Sequence, residues 1–137
     1  MVQTAFFVST ENISDQEVVD HIRMLKKGLF CIAKQNSYVV DSPDGDATNW
    51  VSQQTRELDW LEDADIQKMV ALLKGDPKFL LSIDYDDRES SWFLTIDLFL
   101  HFSKKWNFIL TTEYDDFITR QDVIRDPMKY KLWEFRS

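Results

Sequence analysis

FLLSIDYDDRESSWFLTIDLFLHFSKKWNFILTTEYDD, residues 79–116, opens and closes on nearly the same nine residues. FLLSIDYDD (79–87) laid on FILTTEYDD (108–116) matches at Phe79/Phe108, Leu81/Leu110, Tyr85/Tyr114, Asp86/Asp115 and Asp87/Asp116, with near matches at Leu80/Ile109, Ser82/Thr111 and Asp84/Glu113. Phe79, Leu81, Ile83 and Tyr85 fall on one face, as do Trp106, Phe108, Leu110 and Tyr114, so each copy reads as a half-buried strand that stops on Asp, a poor strand former. Between them Trp92, Leu94, Ile96, Leu98, Leu100 and Phe102 also repeat every second residue, which predicts a middle strand entered through DRES and left through Ser103, Lys104 and Lys105. The expectation is a C-terminal meander over Lys78–Asp115. In a meander the first and third strands run the same way, so both YDD ends emerge at one edge of the sheet, roughly 9 to 10 Å apart. Asp97 and His101 would then lie on the opposite face of the middle strand, as would Phe93 and Phe99, which are core if a helix covers them.

Upstream, VQTAFFVST reads as a strand ending near Ser9. Ser14 followed by Glu17 is a capping-box signature, and Val18, Ile22 and Leu25 recur at helical spacing before Gly28, which predicts a helix over Asp15–Lys27. His21 falls on its polar side, the place of a surface histidine. LFCIAKQ and SYVVD read as two short strands turning at Gln35, Asn36 and Ser37, with Cys31 a buried thiol. DSPDGDATN is a loop, and its D-x-x-D-G-D spacing does not make a calcium loop, because Val40 and Ser42 stand where oxygen ligands are needed. Trp50–Glu57 is read as a strand. A helix follows over Ala64–Lys74, capped by Asp63, buried along Ile66, Met69, Val70 and Leu73, and stopped by Gly75 and Pro77.

These elements predict a single α+β domain over 1–137, with a predominantly antiparallel sheet and two main flanking helices. The 137-residue length suits one core, and hydrophobic content of 44% with five Trp and ten Phe excludes a disordered chain. A single cysteine forms no intrachain disulfide, and MVQTAFFVST lacks a basic leader, so the expected location is cytoplasmic.

Charge narrows the function. The chain carries a formal −8, and from Asp41 to Asp65 eight carboxylates face one arginine, Arg56. Such a surface repels phosphate backbones and attracts basic proteins. Phosphate loops, nucleophile elbows, paired cysteines and H-E-x-x-H are all absent, and two histidines build no triad. A metal-dependent hydrolase on Asp84, Asp97, Glu113 and His101 is chemically conceivable, but the only nearby cations to stabilise developing charge, Arg88, Lys104 and Lys105, fall in expected turns. No enzyme, cofactor or metal is therefore expected. The favoured expectation is a small acidic inhibitor, first an immunity protein that occludes a basic surface of a toxin such as a nuclease. A nucleic-acid mimic and a structural subunit are the alternatives. The expected contact residues are Asp44, Asp46, Trp50, Glu57, Asp59, Trp60, Glu62 and Asp63, then the strand ends Asp84, Asp86, Asp87, Glu113, Asp115 and Asp116. The partner is a basic protein, with no nucleic acid or membrane bound directly.

Overall fold

The computed structural model describes residues 2–25, 29–34, 36–42, 45–112, 116–126 and 129, with 29–34 given by backbone. The described chain runs β1 (Val2–Ser9), α1 (Asp15–Arg23), β2 (Leu29–Lys34), β3 (Ser37–Asp41), β4 (Thr48–Gln53), a 3-10 helix (Thr55–Trp60), α2 (Asp63–Leu73), β5 (Phe79–Asp86), α3 (Glu89–Ser103), β6 (Phe108–Thr112), β7 (Asp116–Thr119) and α4 (Arg120–Arg125). All seven strands join one sheet in the order β2-β3-β4-β5-β1-β6-β7, and each neighbouring pair is antiparallel. The architecture is α+β, as the sequence predicts.

The C-terminal meander is not formed. Residues 89–103, expected as its middle strand, are α3, and Phe93, Asp97, Phe99 and His101 lie on that helix. The run is so evenly apolar that periods of two and 3.6 both fit. Its length favours a helix, because strands rarely exceed about eight residues while helices begin at about ten. The less buried positions Asp97, Leu100, His101 and Lys104 fall at helical spacing, and the buried Phe93, Leu94, Ile96, Leu98, Phe99 and Phe102 fill the remaining circumference.

The repeat has a different neighbour from the one expected, and it is β1. Ser9 faces Phe79 on one side and Phe108 on the other. Val8 likewise faces Leu80 and Ile109, Phe7 faces Leu81 and Leu110, and Phe6 faces Ser82 and Thr111. The two copies thus occupy equivalent positions on the two edges of β1 and run in the same direction. Tyr114, whose match to Tyr85 completes the repeat, lies outside the described residues.

Helices cover the two faces unequally. On the first, Val18, Val19 and Ile22 of α1, Ile96, Leu98, Phe99 and Phe102 of α3 and Val123 of α4 form one core with Phe7, Tyr38, Val51, Leu81, Ile83 and Leu110. On the second, Met69 and Leu73 of α2 close over Phe6, Val8, Leu80 and Ile109, with Leu58 and Leu61 at the margin. Element ends differ from expectation in small ways. The Ser14/Glu17 capping box is in place, but α1 ends at Arg23, and Lys27 and Gly28 lie outside the described residues. Asp63 is the first residue of α2 and not its cap. Lys74, with φ 59°, takes the left-handed closing position ahead of Gly75. Asn36 turns between β2 and β3 with φ 62°. The side chain of Cys31 lies outside the described residues.

Phe7 is fully buried and its ring meets Phe99, Phe102 and Phe108 with centroids 5.6, 6.2 and 6.4 Å away. Phe7→Ala is expected to cost about 3 to 5 kcal/mol in urea unfolding, the range for an aromatic removed from a packed core.

Candidate functional site

The strand β4 alternates Thr48, Asn49, Trp50, Val51, Ser52. Asn49 and Val51 are buried beneath α3, where Asn49 Nδ2 donates to the Ser91 carbonyl at 3.2 Å. Trp50 therefore points to the second sheet face, where it is 41% exposed. It belongs to a row running across four strands, since Val39 faces Trp50, Trp50 faces Asp84 and Asp84 faces Thr4. The cover given by α2 ends before this row, which leaves Val39, Asp84 and Thr4 half-buried beside the exposed indole. An exposed aromatic amid carboxylates can take a cation over its face while the carboxylates neutralise it.

Below the row lies a groove of about 530 Å³ lined by Thr4, Phe6, Ser52, Gln54, Glu57, Ser82 and Asp84. Its two carboxylates come from unrelated elements, Asp84 from β5 and Glu57 from the 3-10 helix. Thr4 Oγ1 donates to Asp84 Oδ1 at 2.7 Å and holds that carboxylate in the plane of the face. Gln54 N donates to the Leu80 carbonyl at 2.9 Å, and Leu80 N donates to Thr55 Oγ1 at 3.2 Å. These two bonds pin the start of the 3-10 helix to β5 and fix Glu57 at the groove.

The segment Asp41–Asp65, expected as a binding loop, is mostly regular structure. The expected strand Trp50–Glu57 is instead β4 to Gln53 followed by the 3-10 helix. The true loop is short and tied. Ser42 N donates to the Ala47 carbonyl at 2.9 Å, Ala47 N to Ser42 Oγ at 3.0 Å, and Ser90 Oγ to the Asp46 carbonyl at 2.8 Å. Asp46 is displayed on it, and Asp44 lies outside the described residues. Trp60 closes the 3-10 helix at 81% exposure, among exposed Asp59, Glu62 and Asp63. Neither Trp50 nor Trp60 is core.

The strand-end cluster is only half described. Asp84 and Asp86 lie at the end of β5 and Asp87 just past it, Glu113 and Asp115 lie outside the described residues, and Asp116 is an exposed first residue of β7. Asp86 is gripped by Arg88, whose Nη2 donates to Oδ2 at 2.8 Å and whose Nε donates to both oxygens at 3.0 Å. These hydrogen bonds hold the Asp86 carboxyl down at about 2. Among the described residues no group of three acidic, histidine or cysteine side chains is arranged to hold a metal, and no helix is long and apolar enough to cross a membrane. His21 is 5% exposed, so it is not the surface residue expected.

Thr4, Asp41, Val39, Ser52 and Ser82 belong to this face and were not in the expected contact set, although Asp41 was counted in the acidic segment. Thr48 Oγ1 donates to Asp41 Oδ1 at 2.7 Å, a second carboxylate braced by a threonine on the same face. A signal for the face is present in FLLSIDYD. Phe79–Ile83 are continuously buried, whereas Asp84–Asp86 alternate, and the change marks where the second-face cover ends. Protein-family models, curated proteins and solved structures include no match to this chain.

Two outcomes are expected. Trp50→Ala should leave unfolding free energy within about 0.5 kcal/mol of the parent, as for surface positions generally. In Arg88→Ala, carbon-detected NMR should show the Asp86 carboxyl rising from about 2 toward the ordinary 3.8. The folded value lies below the unfolded one, so whatever stability the pair contributes is present above about pH 3.8 and lost as pH falls toward 2.

Proposed function

We propose that the chain is an acidic protein-binding inhibitor whose open sheet face takes a basic surface of its partner. The observation that carries this reading is Trp50, a large aromatic left exposed on a rigid strand with Asp84 as its cross-strand neighbour. Aromatic anchors set in well-defined surroundings supply most of the energy in protein interfaces, while surrounding charges steer the encounter. Asp41, Glu57 and Asp84 would meet lysine or arginine side chains of the partner. Asp46, Asp59, Trp60, Glu62 and Asp63 extend the acidic surface and would act chiefly on the approach.

In biological terms we favour an immunity protein that covers the nucleic-acid-binding surface of a cognate toxin, a nuclease being the first candidate. The formal −8 charge is of the right sign to compete with a phosphate backbone for such a surface. A single cysteine with no partner suits the reducing cytoplasm, where a producing cell would need protection. The test is inhibition of a basic nuclease domain encoded beside the gene. Trp50→Ala is expected to weaken binding by about 2 kcal/mol or more, roughly 30-fold in Kd. Asp84→Lys with Glu57→Lys should slow association and flatten its salt dependence. Unchanged affinity and unchanged salt dependence in both variants would remove this face as the contact. Inhibition of a DNA- or RNA-binding protein that is not an enzyme would replace the immunity reading with nucleic-acid mimicry.

A further inference from the structure

The chain has two histidines, 80 positions apart, and they stack on each other across α1 and α3. The ring centroids of His21 and His101 are 3.9 Å apart with 15° between planes. His21 Nε2 donates to the main-chain carbonyl of His101 at 2.6 Å, and His101 Nε2 donates to that of His21 at 2.5 Å. To donate in this way each Nε2 must carry a proton, so in the neutral rings each Nδ1 is bare. The Nδ1 of His21 is buried with no hydrogen-bond partner. Its ring is closed in edge-on by Phe102 and Trp106, at 5.2 and 5.0 Å.

We propose that the stacked His21–His101 pair is a pH-operated clasp, which in its neutral form fastens α1 to α3 and on protonation releases α1 from the first face of the sheet. A second proton on His21 would create a buried N–H with nothing to accept it, a costly state. Two imidazolium rings could not stay stacked at this distance without strong repulsion.

The neighbouring lysines favour release. Lys104 and Lys105 follow α3, and the Lys105 ammonium sits 4.7 Å from the Trp106 ring that borders His21. From α4, Arg120 Nη1 donates to the Leu100 carbonyl and to Ser103 Oγ, bringing a guanidinium to the same helix end. On α1, Glu17 is occupied by the Ser14 amide and Asp20 by Gln16 Nε2, both in exposed positions, and Arg23 adds another cation. On α3, Asp97 stands one turn before His101 as the nearest carboxylate in that helix. Burial pushes both imidazoles below the ordinary 6.5. Their backbone hydrogen bonds act in the opposite direction, while the neighbouring ring and Lys105 lower His21 further and Lys104 lowers His101. The folded values lie below the unfolded ones, so the clasp is fully closed above about pH 6.5 and is lost as pH falls through the folded values.

Native-state hydrogen exchange of the Val18–Ile22 amides between pH 7.5 and 5, corrected for intrinsic rates, reads this opening directly. Below pH 6.5 the opening constant of α1 should rise about tenfold per pH unit for each proton the open state takes up, while β5 amides keep their protection. His21→Gln with His101→Gln retains amide donors but cannot titrate, and should abolish the dependence. If that double variant does not fold, His101→Gln alone, at the half-buried ring, should reduce the pH slope. The proposal is overturned if α1 protection does not change with pH, or if a folded Gln variant keeps the full slope. It is also overturned if NMR shows both imidazoles titrating at or above 6.5.

Discussion

Strand β1 has to satisfy neighbours on both edges and, over Ala5–Ser9, on both faces. Its backbone is hydrogen-bonded by β5 on one side and β6 on the other, while Phe7 looks into the first core and Phe6 and Val8 into the second. A register slip of one residue would exchange these two sets, placing Phe7 under α2 and Phe6 among the rings of α3. Two segments 29 positions apart face the same row of β1 residues, and this gives the FLL and FIL repeats a common physical cause. Each must supply an aromatic, an aliphatic and a small polar residue where β1 supplies Ser9, Phe7 and Phe6.

The open sheet face follows from where cover on the second side runs out. Helix α2 and the 3-10 helix bury one end of β1, β5 and β6, but toward Val2 and Asp86 the strands become half-buried or exposed. An antiparallel sheet tolerates one solvated face, provided its outward residues are mostly polar. Thr4, Thr48, Ser52 and Asp84 meet that requirement and Trp50 does not. Its position is also stiff, because β4 is paired on both sides and anchored beneath by Asn49 and Thr48, which bond to Ser91 at the start of α3. A rigid exposed aromatic loses little side-chain freedom on binding, which suits an anchor.

α3 touches both the strand that carries Trp50 and the helix that carries His21. Its first turn holds β4 and the Asp46 carbonyl ahead of it through Ser91 and Ser90, and its last turn carries His101 against α1 and receives Arg120 from α4. The helix is apolar over most of its circumference, with Thr95 and Asp97 as the polar residues of its middle and the groups just named at its ends. Opening of α1 by acid would act on the last turn and leave the first turn, with its grip on β4, in place.

From sequence, the α+β class, β1, the capped α1, α2 and the strand character of both repeat copies were legible, because each rests on a local period or cap. The acidity of the chain was equally local. The identity of residues 89–103 was not settled by period, since a helix buried nearly all round and a buried strand show the same unbroken apolar run. Length and the 97, 100/101, 104 spacing carried the correct answer. Trp50 on the polar side of its strand was a readable oddity, but its pairing with Asp84 exists only because β4 lies beside β5, a non-local choice. The same holds for the groove, whose carboxylates meet through the crossing of the 3-10 helix over β5. His21 reads as a surface residue from its helix alone, because its burial depends on a partner 80 residues away. Sequence determines periods, caps and charge, while contacts between distant segments depend on which faces remain to be buried, and only the assembled sheet decides that.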